Sequence, residues 1–312
     1  MAVFNEFTFR ASDGETEIYV REFIPEGAIT GTVQITHGIA EYGARYDDFM
    51  KYLAGNGYAV CAMDLPGHGR SAIPGKEGFF AAEDGWDFVV ECMKQLHDFQ
   101  EEKYPGAKKI LFGHSMGSFL ARTYIIKNPR DFDAAVICGT GQQPPVIVRA
   151  GLFMAKNECR KNGIMSRSEK LNGMTFSGYN KRIKPLRTKN DWLSANAENV
   201  DRYNSDPLCG GPSTAALLRD MMTGLLFIQD KQNLAKMNKD LPVFFIAGGE
   251  DPVGDYGKGV QKAFDSFIAS GMREVDLKLY PGDRHEILNE NDRDAVYKDI
   301  LEWIESKTRK EE

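Results

Sequence analysis

A serine with glycine two residues away on either side stands in Gly113-His114-Ser115-Met116-Gly117, and that spacing has a mechanical cause. Ile110 to Phe112 reads as a strand, and Met116 to Lys127 as a helix that stops before Pro129. A strand that turns at once into a helix leaves Ser115 strained at the tip and presses the residues two before and two after close together. Only a missing Cβ fits there, hence Gly113 and Gly117. Such a turn presents the Ser115 hydroxyl above the sheet edge. The helix N-terminus behind it offers free N–H groups and a positive dipole end to a developing negative oxygen. The chemistry these residues suit is nucleophilic attack.

A serine nucleophile needs a histidine base, usually with a carboxylate behind it. The chain has five histidines, few enough for elimination. His97 falls mid-helix, far from a strand end. His114 precedes the nucleophile, so its side chain points away from that of Ser115 and suits packing. His68, in Pro66-Gly67-His68-Gly69, suits a loop-fixing hydrogen bond, and His37 sits before Gly38 where its backbone matters more than its ring. His285 remains, on the loop Pro281 to His285 after a strand over Val275 to Tyr280. For the acid, the strand Val243 to Ala247 runs into Gly248-Gly249-Glu250-Asp251-Pro252. Glu250 and Asp251 both qualify by position and Asp255 lies further out. Asp251 is favoured because Pro252 fixes its turn and a short carboxylate there can reach back to the His285 ring. The order Ser115, Asp251, His285, each after a successive strand, is that of α/β-hydrolases and not of the two unrelated serine-protease folds.

The elements that must carry these residues alternate. A hairpin over Phe4 to Phe9 and Glu17 to Phe23 is followed by strands at Thr32 to Thr36 and Tyr58 to Met63, with helices over about Ala44 to Asn56 and Glu83 to Tyr104. After the Ser115 turn comes a strand over Phe132 to Cys138. Strict alternation predicts right-handed crossovers and an α/β fold: a mainly parallel sheet of about eight strands with helices on both faces. From Gln142 to about Gln229 no strand is evident. Val146 to Arg160 and Thr214 to Ile228 look helical, with a Ser-, Asn- and Gly-rich stretch between them. The expected organisation is a core over 1–141 and 230–312, with a helical cap, 142–229, over the carboxyl edge of the sheet, where such sheets bind ligands. The final helix, over about Asp292 to Ser306, leads into a charged tail, Lys307 to Glu312, that reads as a frayed end.

Composition narrows the function. With 42% hydrophobic and 27% charged residues the chain has material for a large core. Its 45 acids outnumber 39 bases, which argues against a nucleic-acid partner. Five scattered cysteines in no metal-binding spacing read as buried thiols of a reducing compartment. The start lacks a basic, apolar leader, and no run reaches the ~18 apolar residues of a membrane span. A soluble, cytoplasmic protein is expected, and the chemistry implies no metal or organic cofactor.

The chain resembles α/β-hydrolases of the monoacylglycerol lipase and lysophospholipase type, a group also labelled serine aminopeptidase-like, over nearly its whole length. The similar motifs are His37-Gly38-Ile39-Ala40-Glu41 with Arg45-Tyr46, Asp64 to Ser71, Gly113 to Gly117, Gly249 to Val253 and Pro281 to Glu286. Asp201 to Cys209 is similar to a segment of the lysophospholipases. The resemblance implies Ser115 as nucleophile, Asp251 and His285 as its partners, and the N–H groups of Ile39 and Met116 as the oxyanion hole, supported by His37 and Gly38. Three residues depart from the pattern. Tyr42 stands where histidine is frequent, facing the expected site mouth, Ser118 where a further glycine is usual, and Asp283 where glycine is common.

The expected reaction is acyl transfer to water through an acyl-enzyme, on a mono-acyl lipid or medium-chain ester. Apolar residues of the cap, Phe153, Met154 and Met222 among them, could line an acyl pocket, methionine suiting adaptable walls. A peptidase would instead need a cap carboxylate for a substrate amino terminus, from Glu158, Glu169 or Glu198. A third reading, a non-catalytic binding module, leaves a filled set of catalytic positions unused.

Overall fold

The computed structural model describes residues 2–176 and 178–308. Its strands are β1 (Ala2–Arg10), β2 (Glu17–Pro25), β3 (Gly31–Thr36), β4 (Tyr58–Met63), β5 (Lys108–His114), β6 (Ala134–Cys138), β7 (Val243–Gly248) and β8 (Val275–Tyr280). They form one sheet in the order β1-β2-β4-β3-β5-β6-β7-β8. The β1–β2 and β2–β4 pairs are antiparallel and the remaining pairs parallel. The expected mainly parallel sheet is therefore present. Strands β3, β4, β6 and β7 are buried at every residue, because helices cover both faces.

Alternate side chains of one strand enter different layers: Cys61 and Met63 of β4 join one apolar cluster, Val60 and Ala62 the other. Helices α1 (Asp47–Gly55) and α10 (Arg293–Thr308) fill the second layer. The first holds α2 (Gly85–Lys103), α3 (Met116–Lys127) and α9 (Lys258–Ala269). The tail beyond residue 308 lies outside the described residues. Among those described, no helix is long and apolar enough to cross a membrane, and Cys61, Cys92 and Cys138 are buried free thiols while Cys159 and Cys209 are partly exposed.

Between β6 and β7 lie α4 (Pro145–Asn162), α5 (Glu169–Phe176), α6 (Ala197–Ser205), α7 (Ala215–Phe227) and the short α8 (Lys231–Leu234). The sequence pattern shows α4 and α7 but not α5 or α6. Helix α6 is polar and short, yet its start is marked: the Asn196 side chain accepts the N–H groups of Glu198 at 3.1 Å and Asn199 at 3.4 Å. Helix α7 packs on α2 and α3 so closely that a Cβ on Gly224 would stand 2.1 Å from the Trp86 indole. Leu217, Met221 and Leu225 of α7 belong to the same apolar cluster as Trp86 and Val89 of α2.

The register aligns the carboxyl ends of the strands. Thr36 pairs with Met63 and Gly113, His114 with Cys138, and Gly248 with Tyr280. The loops that follow, beginning at residues 37, 64, 115, 139, 249 and 281, therefore leave from one edge of the sheet.

Candidate active site

Ser115 sits at that edge with φ 54° and ψ −122°, a conformation costly for any residue but glycine. Crowding around it is severe. A Cβ on Gly113 would lie 2.4 Å from the Gly117 carbonyl oxygen, and one on Gly117 only 2.0 Å from that of Thr36. Gly117 is thus required by the end of β3 rather than by Gly113 alone, a contact invisible in sequence. Ser118 donates its hydroxyl to the Ser115 carbonyl at 2.6 Å.

His285 Nδ1 donates to Asp251 Oδ2 at 2.9 Å, and both side chains are buried. Asp251 keeps its other oxygen on the Val253 N–H at 2.8 Å, which fixes the carboxylate plane. Glu250 and Asp255, the alternatives by position, are exposed. The imidazole lies between Trp192, with ring centroids 5.1 Å apart, and His114 at 4.7 Å. Ser115 and His285 line one cavity. Among the described residues no hydrogen bond joins the Ser115 hydroxyl to the ring, and such contacts commonly tighten only when substrate binds.

Residues 37–41 form the turn beside the serine. Glu41 Oε1 accepts the Gly38 N–H at 2.6 Å, and a Cβ on Gly38 would collide with that oxygen and lie 3.0 Å from Ser115 Cβ. Ile39 borders the cavities at Ser115. Met116, first residue of α3, has an N–H with no intrahelical acceptor.

Two histidines carry more than expected. The His37 ring bridges loops: Nδ1 donates to the Gly38 carbonyl at 2.7 Å and Nε2 accepts the Leu65 N–H at 2.9 Å. Burial, with His68 nearby, pushes its pKa down to about 3, so it is neutral. His114 does not merely pack. Its Nε2 donates to the His285 carbonyl at 3.1 Å, and Nδ1 lies 2.8 Å from Tyr46 Oη and 3.3 Å from Glu41 Oε1. Burial opposes charge on this ring, yet the Glu41 carboxylate, with Glu286 beyond, leaves its pKa raised. Arg45 completes the group, bonding Glu41 at 3.2 Å and also Glu286. Sequence reasoning missed this cluster because its members are joined only by folding. His68 makes the expected loop bond, Nδ1 to the Pro66 carbonyl at 3.0 Å, and His97 donates to the Asp131 carbonyl at 2.8 Å.

Ser115 stands where two cavities meet. One, of about 410 Å³, is apolar, walled by Met116, Phe119, Ile147, Val148, Gly151, Met154, Leu218, Met221, Met222 and Leu225. The other, of about 560 Å³, carries His285, Asn172, Asn180, Lys189, Asn190, Glu41 and Glu286. Both share Ile39, Ser115, Phe176 and Trp192. Met154 and Met222 lie where an acyl pocket was expected. Phe153 does not: it is 73% exposed, on the outer face of α4 with Val146, one helical repeat of seven residues away. Tyr42 is likewise in neither wall; its hydroxyl donates to Asp206 Oδ2 at 2.8 Å, tying the turn to the chain after α6.

Comparison with known proteins identifies the family. The sequence profile of the family described as serine aminopeptidase, S33, matches residues 27–292. The chain is 28% identical over 302 residues to a monoacylglycerol lipase of Mycolicibacterium smegmatis, covering 95% of each protein. It is 26% identical over 299 residues to human monoglyceride lipase, covering 95% of this chain and 89% of that one. The crystal structure of a highly thermostable carboxyl esterase from Bacillus coagulans, in complex with glycerol, superposes with a TM-score of 0.92 at 28% identity, covering 99% of this chain and all of that one.

Proposed function

The chain belongs to the serine aminopeptidase S33 family of α/β-hydrolases, and we propose that it is a serine carboxylic-ester hydrolase acting on mono-acyl lipids, a monoacylglycerol or lysophospholipid, or on medium-chain esters. The observation that carries this reading is the position of Ser115 between an apolar cavity and a polar one. An ester with a hydrocarbon acyl group and a small polar alcohol has that same division at its scissile bond. Similarity to an esterase solved with glycerol supports a polyol on the polar side.

In this reading His285, oriented by Asp251, takes the Ser115 proton as the hydroxyl attacks the carbonyl carbon. The Ile39 and Met116 N–H groups receive the oxyanion. Protonated His285 then gives its proton to the leaving alcohol, and water cleaves the acyl-enzyme by the same steps. The segment between β6 and β7 serves as the cap, its methionines walling the acyl group.

A substrate amino terminus would need an unpaired carboxylate, which the described residues of the cavity walls do not offer. Glu41 and Glu286 are engaged by Arg45, and Glu158, Glu169 and Glu198 lie in neither wall. Purified protein should therefore hydrolyse monoacylglycerols and simple esters with a preference for apolar acyl groups, leave aminoacyl arylamides intact, and lose activity in Ser115→Ala. Equal rates across acyl length, or faster arylamide cleavage, would refute the reading.

A further inference from the structure

The turn that carries Ile39 is gripped from the insertion as well as from the core. Ala40 has a φ of 56°, a left-handed conformation that alanine keeps only where its surroundings hold it. Its carbonyl oxygen accepts two hydrogen bonds, both from the segment between β6 and β7. Tyr203 Oη, on α6, donates at 3.0 Å, and the Gly210 N–H at 2.9 Å. The same tyrosine ring lies over the Arg45 guanidinium, 5.0 Å from it. Arg45 in turn joins Glu41, which closes the turn onto Gly38, to Glu286, the residue after His285. One buried side chain of the insertion thus holds the carbonyl next to Ile39 and covers the cation that links the turn to the histidine loop.

We propose that Tyr203 is a positioning residue for ester hydrolysis: with Gly210 it keeps residues 38–41 in the form in which the Ile39 N–H faces Ser115, so the oxyanion site is complete only while α6 is seated on the core. The inference rests on the reading of Ile39 as an oxyanion donor. If α6 lifts together with the chain that follows it to Gly210, the Ala40 carbonyl loses both partners and the left-handed turn loses what over-determines it.

Tyr203→Phe keeps the ring over Arg45 and removes the hydroxyl alone. Rates are taken on a soluble short-chain ester, per serine titrated with an active-serine phosphonate, so unfolded protein does not count. The expected result is a kcat lower by on the order of tenfold with KM within about twofold. The phosphonylation rate should fall by the same factor, because the phosphonyl oxygen uses the same donors. A merely structural role would lower the melting temperature and leave both rates per titrated serine unchanged, which overturns the proposal, as does a rise in KM alone. Failure of the unaltered protein to hydrolyse ester or take up phosphonate would instead bring down the esterase reading itself.

Discussion

His37 Nδ1 lies 2.7 Å from the carbonyl oxygen of Gly38, the oxygen of the same peptide group whose N–H belongs to Ile39. In a trans peptide the two groups point in opposite directions, so holding one aims the other. The Leu65 N–H on Nε2 places the ring's only proton on Nδ1. A neutral, fixed imidazole therefore sets the direction of an N–H that the proposed mechanism uses.

His37→Phe keeps a buried ring of similar shape and loses both bonds. Its kcat should fall by on the order of 10²-fold, about 3 kcal/mol, the loss typical of one oxyanion donor, with KM nearly unchanged. Steady-state kinetics on a soluble ester decide it, and a kcat within twofold of the parent would count against the role.

Asp251 and His285 are buried together and bonded at 2.9 Å. Asp251→Asn preserves shape but stabilises neither the tautomer nor the imidazolium, so kcat should fall by on the order of 10⁴. Ser115→Ala should fall at least as far, and the double variant no further, since the residues act as one unit. Additive losses in the double variant would argue that the two do not share a step.

Met222 packs beside Gly151, where a Cβ would lie 3.3 Å from its Sδ, and both line the apolar cavity. Met222→Trp should shorten the preferred acyl chain, lowering kcat/KM for long-chain esters roughly tenfold or more while sparing short ones. A uniform loss across chain lengths would place the acyl group elsewhere.

Two groups bend stability with pH in opposite senses. Burial pushes His37 down to about 3, against about 6.5 in an unfolded chain. The unfolded form takes up its proton first as acid is added, so the contribution of the neutral ring is full above about pH 6.5 and lost as pH falls from there towards 3. Asp283 is pushed up to about 7 by burial and by Glu290 and Asp292. Its contribution is full below the unfolded value of about 3.9 and lost as pH rises towards 7. Asp283→Asn should thus raise Tm over the parent more at pH 8 than at pH 5, by calorimetry; a gain independent of pH would remove the charge as its cause.

The sheet was legible because each strand is an apolar run ended by a turn signal, and the Ser115 turn because glycine spacing records steric crowding. The contact between Asp251 and His285 could be anticipated because both follow strands that end at the same edge. What escaped reading was contact across loops: the His37 ring on Leu65, His114 under the His285 carbonyl, and Glu41 closing on Gly38. Types alone do not say where a polar side chain folds back. Phe153 was misplaced for another reason. Helix α4 has apolar residues on two faces, Val146 and Phe153 outward and Met154 and Ala155 inward, with the exposed Ile147 at the cavity rim, and periodicity does not tell which faces a cavity.

Strands β6 and β7 are parallel neighbours, so the chain leaving one must travel back along the sheet before entering the other. Helix α7 makes that return, pressed on Trp86, while α4 rests on α7 from outside. The apolar cavity proposed for the acyl group is therefore walled in two layers: Leu218, Met221, Met222 and Leu225 belong to the structural beam itself, while Val148, Gly151 and Met154 are mounted on it. Grafts that exchange α4 alone, leaving α6 with Tyr203 and α7 in place, should therefore redraw only the outer part of that wall without reopening the architecture beneath.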